Sequence, residues 1–159
     1  MYTHRICTTG IDARENDPEV RRRIVYTMEQ VLLGGELIEI KVEHEFADGL
    51  YFRKIHLPAG ASLTGRVHKQ NDLQIVFYGD ISILTERGLT RFTGPCSFTS
   101  KAGIKPYALA HANTCFATAH HTHLTDLAAI ERELFEDEPA HAYDFVSGKI
   151  RQEELPCQL

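Results

Sequence analysis

The residues best suited to chemistry lie in one short segment, "GASLTGRVHKQNDLQ" (60–74). A guanidinium such as that of Arg66 binds an anionic group, and a histidine beside a carboxylate, such as His68 with Asp72, can transfer a proton. Gln74 can hydrogen-bond hydroxyl groups. Together with Tyr78, these side chains are predicted to line a polar pocket for an anionic or sugar-like ligand, with His68 as the candidate catalytic base.

The same segment can contribute to a metal site. A first-row transition metal at an oxygenase-type centre takes at least three ligands, usually imidazoles and a carboxylate. His68 and Asp72 supply two, and the late run "CFATAHHT" (115–122) offers a third. If this run is a strand, successive side chains alternate between faces, so either His120 or His121 points inward. The pattern predicts a divalent metal site of His68, Asp72 and one of these two residues, with His44 as a further candidate.

Simpler roles remain open for the same residues. His68 and Asp72 form a plain hydrogen-bonded pair if the pocket is filled by protein, and Arg66 then serves an ion pair with a glutamate. His44 lies on the inward face of a predicted strand, where a lone histidine is more often a hydrogen-bonded core residue than a ligand.

The hydrophobic periodicity places these residues on elements. A helix is predicted over 17–34, because Asp17 can cap it, Pro18 suits its first position and Gly34 ends it. Its predicted apolar stripe comprises Val20, Ile24, Met28, Val31 and Leu32. Short alternating segments punctuated by turn residues then predict a β-sandwich or small barrel over 36–121, which begins with a hairpin turning at Asp48-Gly49. A second helix is predicted over 125–136, followed by an acidic tail over 137–159.

Length and charge narrow the possible functions. A chain of 159 residues suits a single domain with one core, spanning 1–159. The formal net charge of −5 gives no basic field, so we expect neither nucleic acid nor a membrane surface as a partner. The absence of an apolar run of about 20 residues and of a secretory leader predicts a cytoplasmic protein.

The middle of the chain resembles the cupin superfamily, whose first motif reads G-x5-H-x-H-x3-E-x6-G. Its five fixed positions fall on Gly60, Arg66, His68, Asp72 and Gly79, so both glycines and one histidine are kept. The second motif, P-x-G-x-x-H-x3-N, falls on "KAGIKPYALA", where Gly103 matches and Pro106 replaces the ligating histidine. The resemblance implies a mainly β, cupin-type antiparallel barrel (jelly roll) with an N-terminal and a C-terminal helix, and a degenerate metal site.

A narrower resemblance covers about half of the chain, from "LPAGASLTGRVHK" to "HLTDLAAIERELF". This part is similar to small cupin-like proteins of bacteriophages and bacterial metagenomes. The likeness implies a protein in the cytoplasm of a bacterial host or associated with a virion, with other phage proteins as partners. Cupins commonly pair through sheet edges, and the predicted edge strand Glu36 to Phe46 would be exposed, so we also expect a homo-oligomer.

Two classes of function follow. The degenerate motif favours a non-catalytic barrel that binds a ligand or serves as a structural or assembly protein, in the virion or as an accessory. The alternative is a small-molecule enzyme, which is either metal-dependent or a metal-free, sugar-type isomerase that uses His68. The enzyme prediction requires His68 and one late histidine to meet in one concavity.

Overall fold

The computed structural model describes residues 17–35 and 38–137. The predicted tail over 137–159 lies outside them except for Asp137. The described part contains two helices and nine strands in this order: α1 (Pro18–Leu33), β1 (Lys41–Ala47), β2 (Leu50–Leu57), β3 (Ser62–Thr64), β4 (Asp72–Tyr78), β5 (Asp80–Thr85), β6 (Gly88–Thr93), β7 (Cys96–Ser100), β8 (Tyr107–Ala110), β9 (Thr114–His121) and α2 (Leu127–Leu134).

The strands form two antiparallel sheets. One has the order β1-β2-β9-β4-β7 and the other β3-β8-β5-β6. Apart from β1, this is the eight-stranded jelly-roll order, in which the second and ninth strands pair although most of the chain separates them. The predicted mainly β barrel with one helix before it and one after it is therefore confirmed.

The predicted element boundaries are close to those of the structure. Asp17 caps α1 by accepting a hydrogen bond from the backbone N–H of Glu19 at 2.9 Å, and Gly34 ends the helix. The predicted hairpin at Asp48-Gly49 joins β1 to β2, with Gly49 at φ 75°. The second helix is shorter at both ends than the predicted 125–136, because Asp126 caps its start and Phe135, whose backbone is extended, ends it.

The barrel interior is divided into an apolar and a polar part. The apolar core packs residues of both sheets: Ile40, Ile55, Leu57, Ala61, Val76, Ile81, Ile83, Ala108, Ala110 and Phe116. A smaller apolar cluster, made by Tyr51, Ile130, Leu134 and Phe135, joins α2 to the barrel. Between the two clusters, the inner face of the five-stranded sheet carries buried polar side chains, and these form the site described below.

Helix α1 packs through a different face from the one that its apolar stripe predicts. Val25 and Glu29 are its buried residues, whereas Ile24 and Val31 are 48% and 72% exposed. Glu29 accepts hydrogen bonds from Thr64 Oγ1 at 2.8 Å and from Lys105 Nζ at 3.2 Å. A buried ion pair therefore fixes this helix to the barrel. Neither helix within residues 17–35 and 38–137 is long and apolar enough to cross a membrane.

Candidate functional site

Three strands of the larger sheet align their inward side chains in rows. In β9 the side chains of Phe116, Thr118 and His120 share the inner face, because side chains alternate along a strand. His120 lies opposite Tyr51 of β2, and the β4 register, which pairs Leu73 with Ala119, places Asp72 on its other side. Asp72 and His120 therefore lie side by side because strands that are distant in the sequence pair in the sheet.

His68 reaches the same place from the loop between β3 and β4. The loop is held on two sides, because the His68 carbonyl accepts a hydrogen bond from Gly103 N at 2.9 Å and Lys69 N donates to the Leu134 carbonyl at 2.8 Å. His68 Nδ1 lies 3.0 Å from Asp72 Oδ1. Although this distance is short, the angles at the two atoms are unsuitable for a hydrogen bond. Neither atom therefore has a hydrogen-bond partner within the part of the chain that the structure describes.

His68, Asp72 and His120 form one compact group, whose potential ligand atoms all lie within 4.8 Å of one another. The three residues are 8%, 3% and 6% exposed, respectively. His68 Nδ1, Asp72 Oδ1 and His120 Nε2 are buried, and none has a hydrogen-bond partner among the described residues. Because buried polar atoms are normally satisfied, unpaired atoms on three residues that lie this close together indicate a shared partner.

A divalent transition metal fits these three donors. Two imidazoles and one carboxylate are a donor set that first-row metals accept, with bond lengths of about 2.0–2.2 Å. The 3.0 Å between His68 Nδ1 and Asp72 Oδ1 equals the separation of adjacent ligands at such bond lengths and about 90°. The residues present therefore fit a metal, although two positions of the usual cupin motif do not supply a ligand.

Burial gives His120 the protonation state that a ligand needs. Desolvation lowers the pKa of His120 to about 3, and the Arg53 charge acts in the same direction while the Asp72 carboxylate opposes it. The imidazole is therefore neutral throughout the physiological range, with a lone pair available to a cation.

Gln74 holds the carboxylate in place. Its side-chain Nε2 donates to Asp72 Oδ2 at 3.2 Å, which leaves Oδ1 directed to His68. Gln74 is 4% exposed and lies opposite Thr118 of β9, one row deeper in the barrel than Asp72. A neighbour that orients a ligating carboxylate in this way is typical of metal sites.

The chain that follows α2 closes the site. Phe135 is 1% exposed, and its ring centroid lies 4.9 Å from that of His68 and 6.1 Å from that of His120. Arg66 forms an ion pair with Glu131 of α2, donates to the Glu136 carbonyl at 2.7 Å and places its guanidinium 5.7 Å from the Phe135 ring centroid. Arg66 therefore fastens this closing segment to the barrel.

The structure brings together some of the predicted residues and separates others. His120 is the inward member of the late pair, whereas His121 is exposed and its ring lies against that of His123, with centroids 5.3 Å apart. Tyr78 is 52% exposed, and its hydroxyl lies 3.5 Å from His56 Nδ1, on the outer side of the sheet. His44 binds the Tyr51 hydroxyl at 2.8 Å, in agreement with a hydrogen-bonded role.

Tyr51, Thr118 and Phe135 border the site without having been singled out in the sequence. Tyr51 is fully buried and stacks on His120, with ring centroids 5.9 Å apart. Alternation along β9 could have identified Thr118, because it lies two residues before His120. No sequence pattern indicates Phe135, since its place depends on how the chain turns back after α2.

The sequence and the structure were compared with known proteins. No protein-family model matches the sequence, and neither does any curated protein. Among solved structures, an RmlC-like cupin from Shewanella frigidimarina matches with 16% identity and a TM-score of 0.46, over 52% of this chain and 76% of that one. An acetylacetone dioxygenase from Acinetobacter johnsonii matches with 13% identity and a TM-score of 0.44, over 52% of this chain and 59% of that one.

A cupin domain from Bordetella pertussis matches with 13% identity and a TM-score of 0.45, over 56% of this chain and 99% of that domain. Two of these three structures are thus cupins. Matches at this level carry no information on activity, ligand or partner. The closeness to bacteriophage and metagenomic proteins stays a prediction.

Proposed function

We propose that this barrel binds one divalent first-row transition metal through His68, Asp72 and His120, and that it acts as a metal-dependent enzyme on a small molecule. The observation that supports the proposal is the close grouping of three potential ligand residues, each of which carries a buried polar atom without a hydrogen-bond partner among the described residues. Leaving such atoms unpaired costs about 1–3 kcal/mol each. A cation shared by all three removes this cost.

The protein residues have separate roles in this proposal. When bound, the ion supplies a Lewis acid that polarises an oxygen of the substrate or of a water molecule. Gln74 keeps the Asp72 carboxylate oriented through the 3.2 Å hydrogen bond. The pKa of His120, lowered to about 3 by burial, keeps that imidazole unprotonated. Phe135 excludes water from the site, so substrate enters when the closing segment moves.

A second candidate is a non-catalytic barrel that binds a ligand or serves in assembly. The closure of the site favours this role, because Phe135 covers both imidazoles and Arg66 is engaged by Glu131 rather than directed at a ligand. In this case the metal, if bound, is structural. A homo-oligomer paired through β1, a location in a bacterial cytoplasm or virion, and phage proteins as partners are parts of this second proposal.

Elemental analysis of the purified protein tests the metal site. The exposed pair His121 and His123 can collect metal adventitiously, so the variants to compare are His120→Ala and the double variant His121→Ala/His123→Ala. We expect close to one equivalent of iron, manganese, cobalt, nickel or zinc in the wild type and in the double variant, and little in His120→Ala. No metal in the wild type, or metal that is lost only in the double variant, contradicts the proposal.

Turnover distinguishes the two candidate functions once metal is bound. Metal-loaded protein is incubated with a panel of small hydroxy acids, diketones and sugars, with and without oxygen, and products are detected by mass spectrometry. Conversion by the wild type that is lost in Asp72→Asn indicates the enzyme. Stoichiometric metal without conversion indicates the non-catalytic role.

A further inference from the structure

A second row of polar side chains lies directly beneath the proposed metal centre. Thr118 of β9 is opposite Gln74 of β4, and both face the barrel interior one row below His120 and Asp72, since Thr118 lies two residues before His120 and Gln74 two residues after Asp72. They are 7% and 4% exposed. Thr118 Oγ1 and Gln74 Oε1 are buried, and both lack a hydrogen-bond partner in the described ranges 17–35 and 38–137.

The chemistry of the Gln74 side-chain amide determines which kind of group can bind its unpaired oxygen, Oε1. Its Nε2 donates to Asp72 Oδ2 at 3.2 Å. If the Gln74 amide were flipped, its Oε1 would lie against Asp72 Oδ2, and two acceptor oxygens would repel each other. The hydrogen bond therefore identifies which atom of the amide is the nitrogen. Gln74 Oε1 is therefore a buried acceptor that needs a donor, an O–H or N–H group. Thr118 Oγ1 can accept or donate, and so it suits the same hydroxyl group.

The dimensions of this region limit the size of the partner. Rows two residues apart along a strand are separated by about 6.6 Å. The next row down is apolar, since Phe116 lies between Ile55 and Val76 in the core. A ligand held at the metal centre can thus reach Gln74 and Thr118 with a group two or three atoms away, and a longer polar ligand would meet hydrocarbon.

We propose that Gln74 and Thr118 form a subsite that binds the hydroxyl group of a small hydroxy acid whose carboxylate is held at the metal centre. This inference rests on the proposed function, because the metal fixes the other end of the ligand. The ligand hydroxyl donates its one hydrogen to Gln74 Oε1 and accepts a hydrogen bond from the Thr118 hydroxyl. The two residues thereby select hydroxylated ligands over plain carboxylates.

Binding of glycolate and acetate to cobalt(II)-loaded protein, followed by visible absorption, tests the subsite. The two probes differ by one hydroxyl group. Chelation gives glycolate an advantage at any metal, so the informative quantity is the change in the glycolate-to-acetate affinity ratio between variants. Thr118→Val removes the hydroxyl at nearly constant volume, and Thr118→Ser retains it. Thr99→Val is the matched control, since Thr99 is exposed on β7, the strand that pairs with β4 on the side away from β9.

We expect Thr118→Val to lower this ratio by about three- to tenfold, the worth of one neutral hydrogen bond. Thr118→Ser and Thr99→Val should keep the wild-type ratio. An unchanged ratio in Thr118→Val with one equivalent of cobalt bound overturns the subsite and leaves the metal centre intact. Failure of the wild type to bind cobalt overturns the metal centre itself, so the two failures are distinguishable.

Discussion

Replacement of Phe135 by alanine should both destabilise the protein and open the site. The ring is 1% exposed, packs in the cluster with Tyr51, Ile130 and Leu134, and makes edge contacts with two imidazoles. Deleting a buried phenylalanine side chain costs about 3–5 kcal/mol, and aromatic edge contacts contribute about 0.5–1.5 kcal/mol of such a loss. Against a total stability of about 5–15 kcal/mol, this loss is large.

Two measurements check this prediction. Denaturant unfolding should give a free energy of unfolding about 3 kcal/mol below that of the wild type. The variant should also release bound metal to a chelator faster than the wild type. The rate should rise about tenfold for each 1.4 kcal/mol by which the substitution lowers the free energy needed to move the segment after α2 away from the site. Phe77→Ala is the matched control, because Phe77 is 44% exposed and should cost less than about 1 kcal/mol. Equal stability and equal release rates in the two variants would refute the role of Phe135 as a cover.

Three further predictions concern the scaffold. Lys105→Met leaves Glu29 buried without its cation and should lower the free energy of unfolding, measured with denaturant, by about 3–5 kcal/mol. The double variant Lys105→Met/Glu29→Leu should recover much of this loss. Losses that simply add in the double variant would contradict the pairing. Gly79→Ala should destabilise the protein strongly, because φ is 103° and a Cβ would meet side-chain and backbone atoms at 2.3–2.6 Å. Gly88→Ala, where φ is 97° and space is open, should cost less, and equal melting temperatures would contradict this. Lys41 and His56 lower the pKa of Glu43 from 4.5 to about 2. The difference in free energy of unfolding between the wild type and Glu43→Gln should therefore be present above pH 4.5 and vanish as the pH falls through 2. A difference that does not change with pH would contradict this prediction.

The fold could be predicted largely because its signals are local. Alternating side chains and turn residues such as Asp48-Gly49 mark strands wherever they occur. The barrel type is implied only by the resemblance to the cupin motif that includes Gly60 and Gly79. The packing face of α1 could not be found in this way. The buried pair Glu29 and Lys105 is 76 residues apart in sequence, and it outweighs the apolar stripe that includes the exposed Val31.

The site could be predicted only in part, for a related reason. His68 and Asp72 lie four residues apart, so the sequence predicts that they act together. Alternation showed that His120 and His121 face opposite sides of their strand, but it does not say which side is inside. That choice is fixed by the pairing of β9 with β2 and β4, which is a property of the whole sheet. The closing role of Phe135 likewise depends on contacts between distant segments.

The central claim is that His68, Asp72 and His120 together bind one metal ion. X-ray absorption spectroscopy of the metal-loaded protein tests it most directly, because multiple scattering counts the imidazoles bound to the metal. The prediction is a shell of nitrogen and oxygen ligands with two imidazoles in the wild type and in His121→Ala/His123→Ala, and one imidazole or no bound metal in His120→Ala. Two imidazoles that persist in His120→Ala, or a sulfur ligand in the wild type, would contradict it.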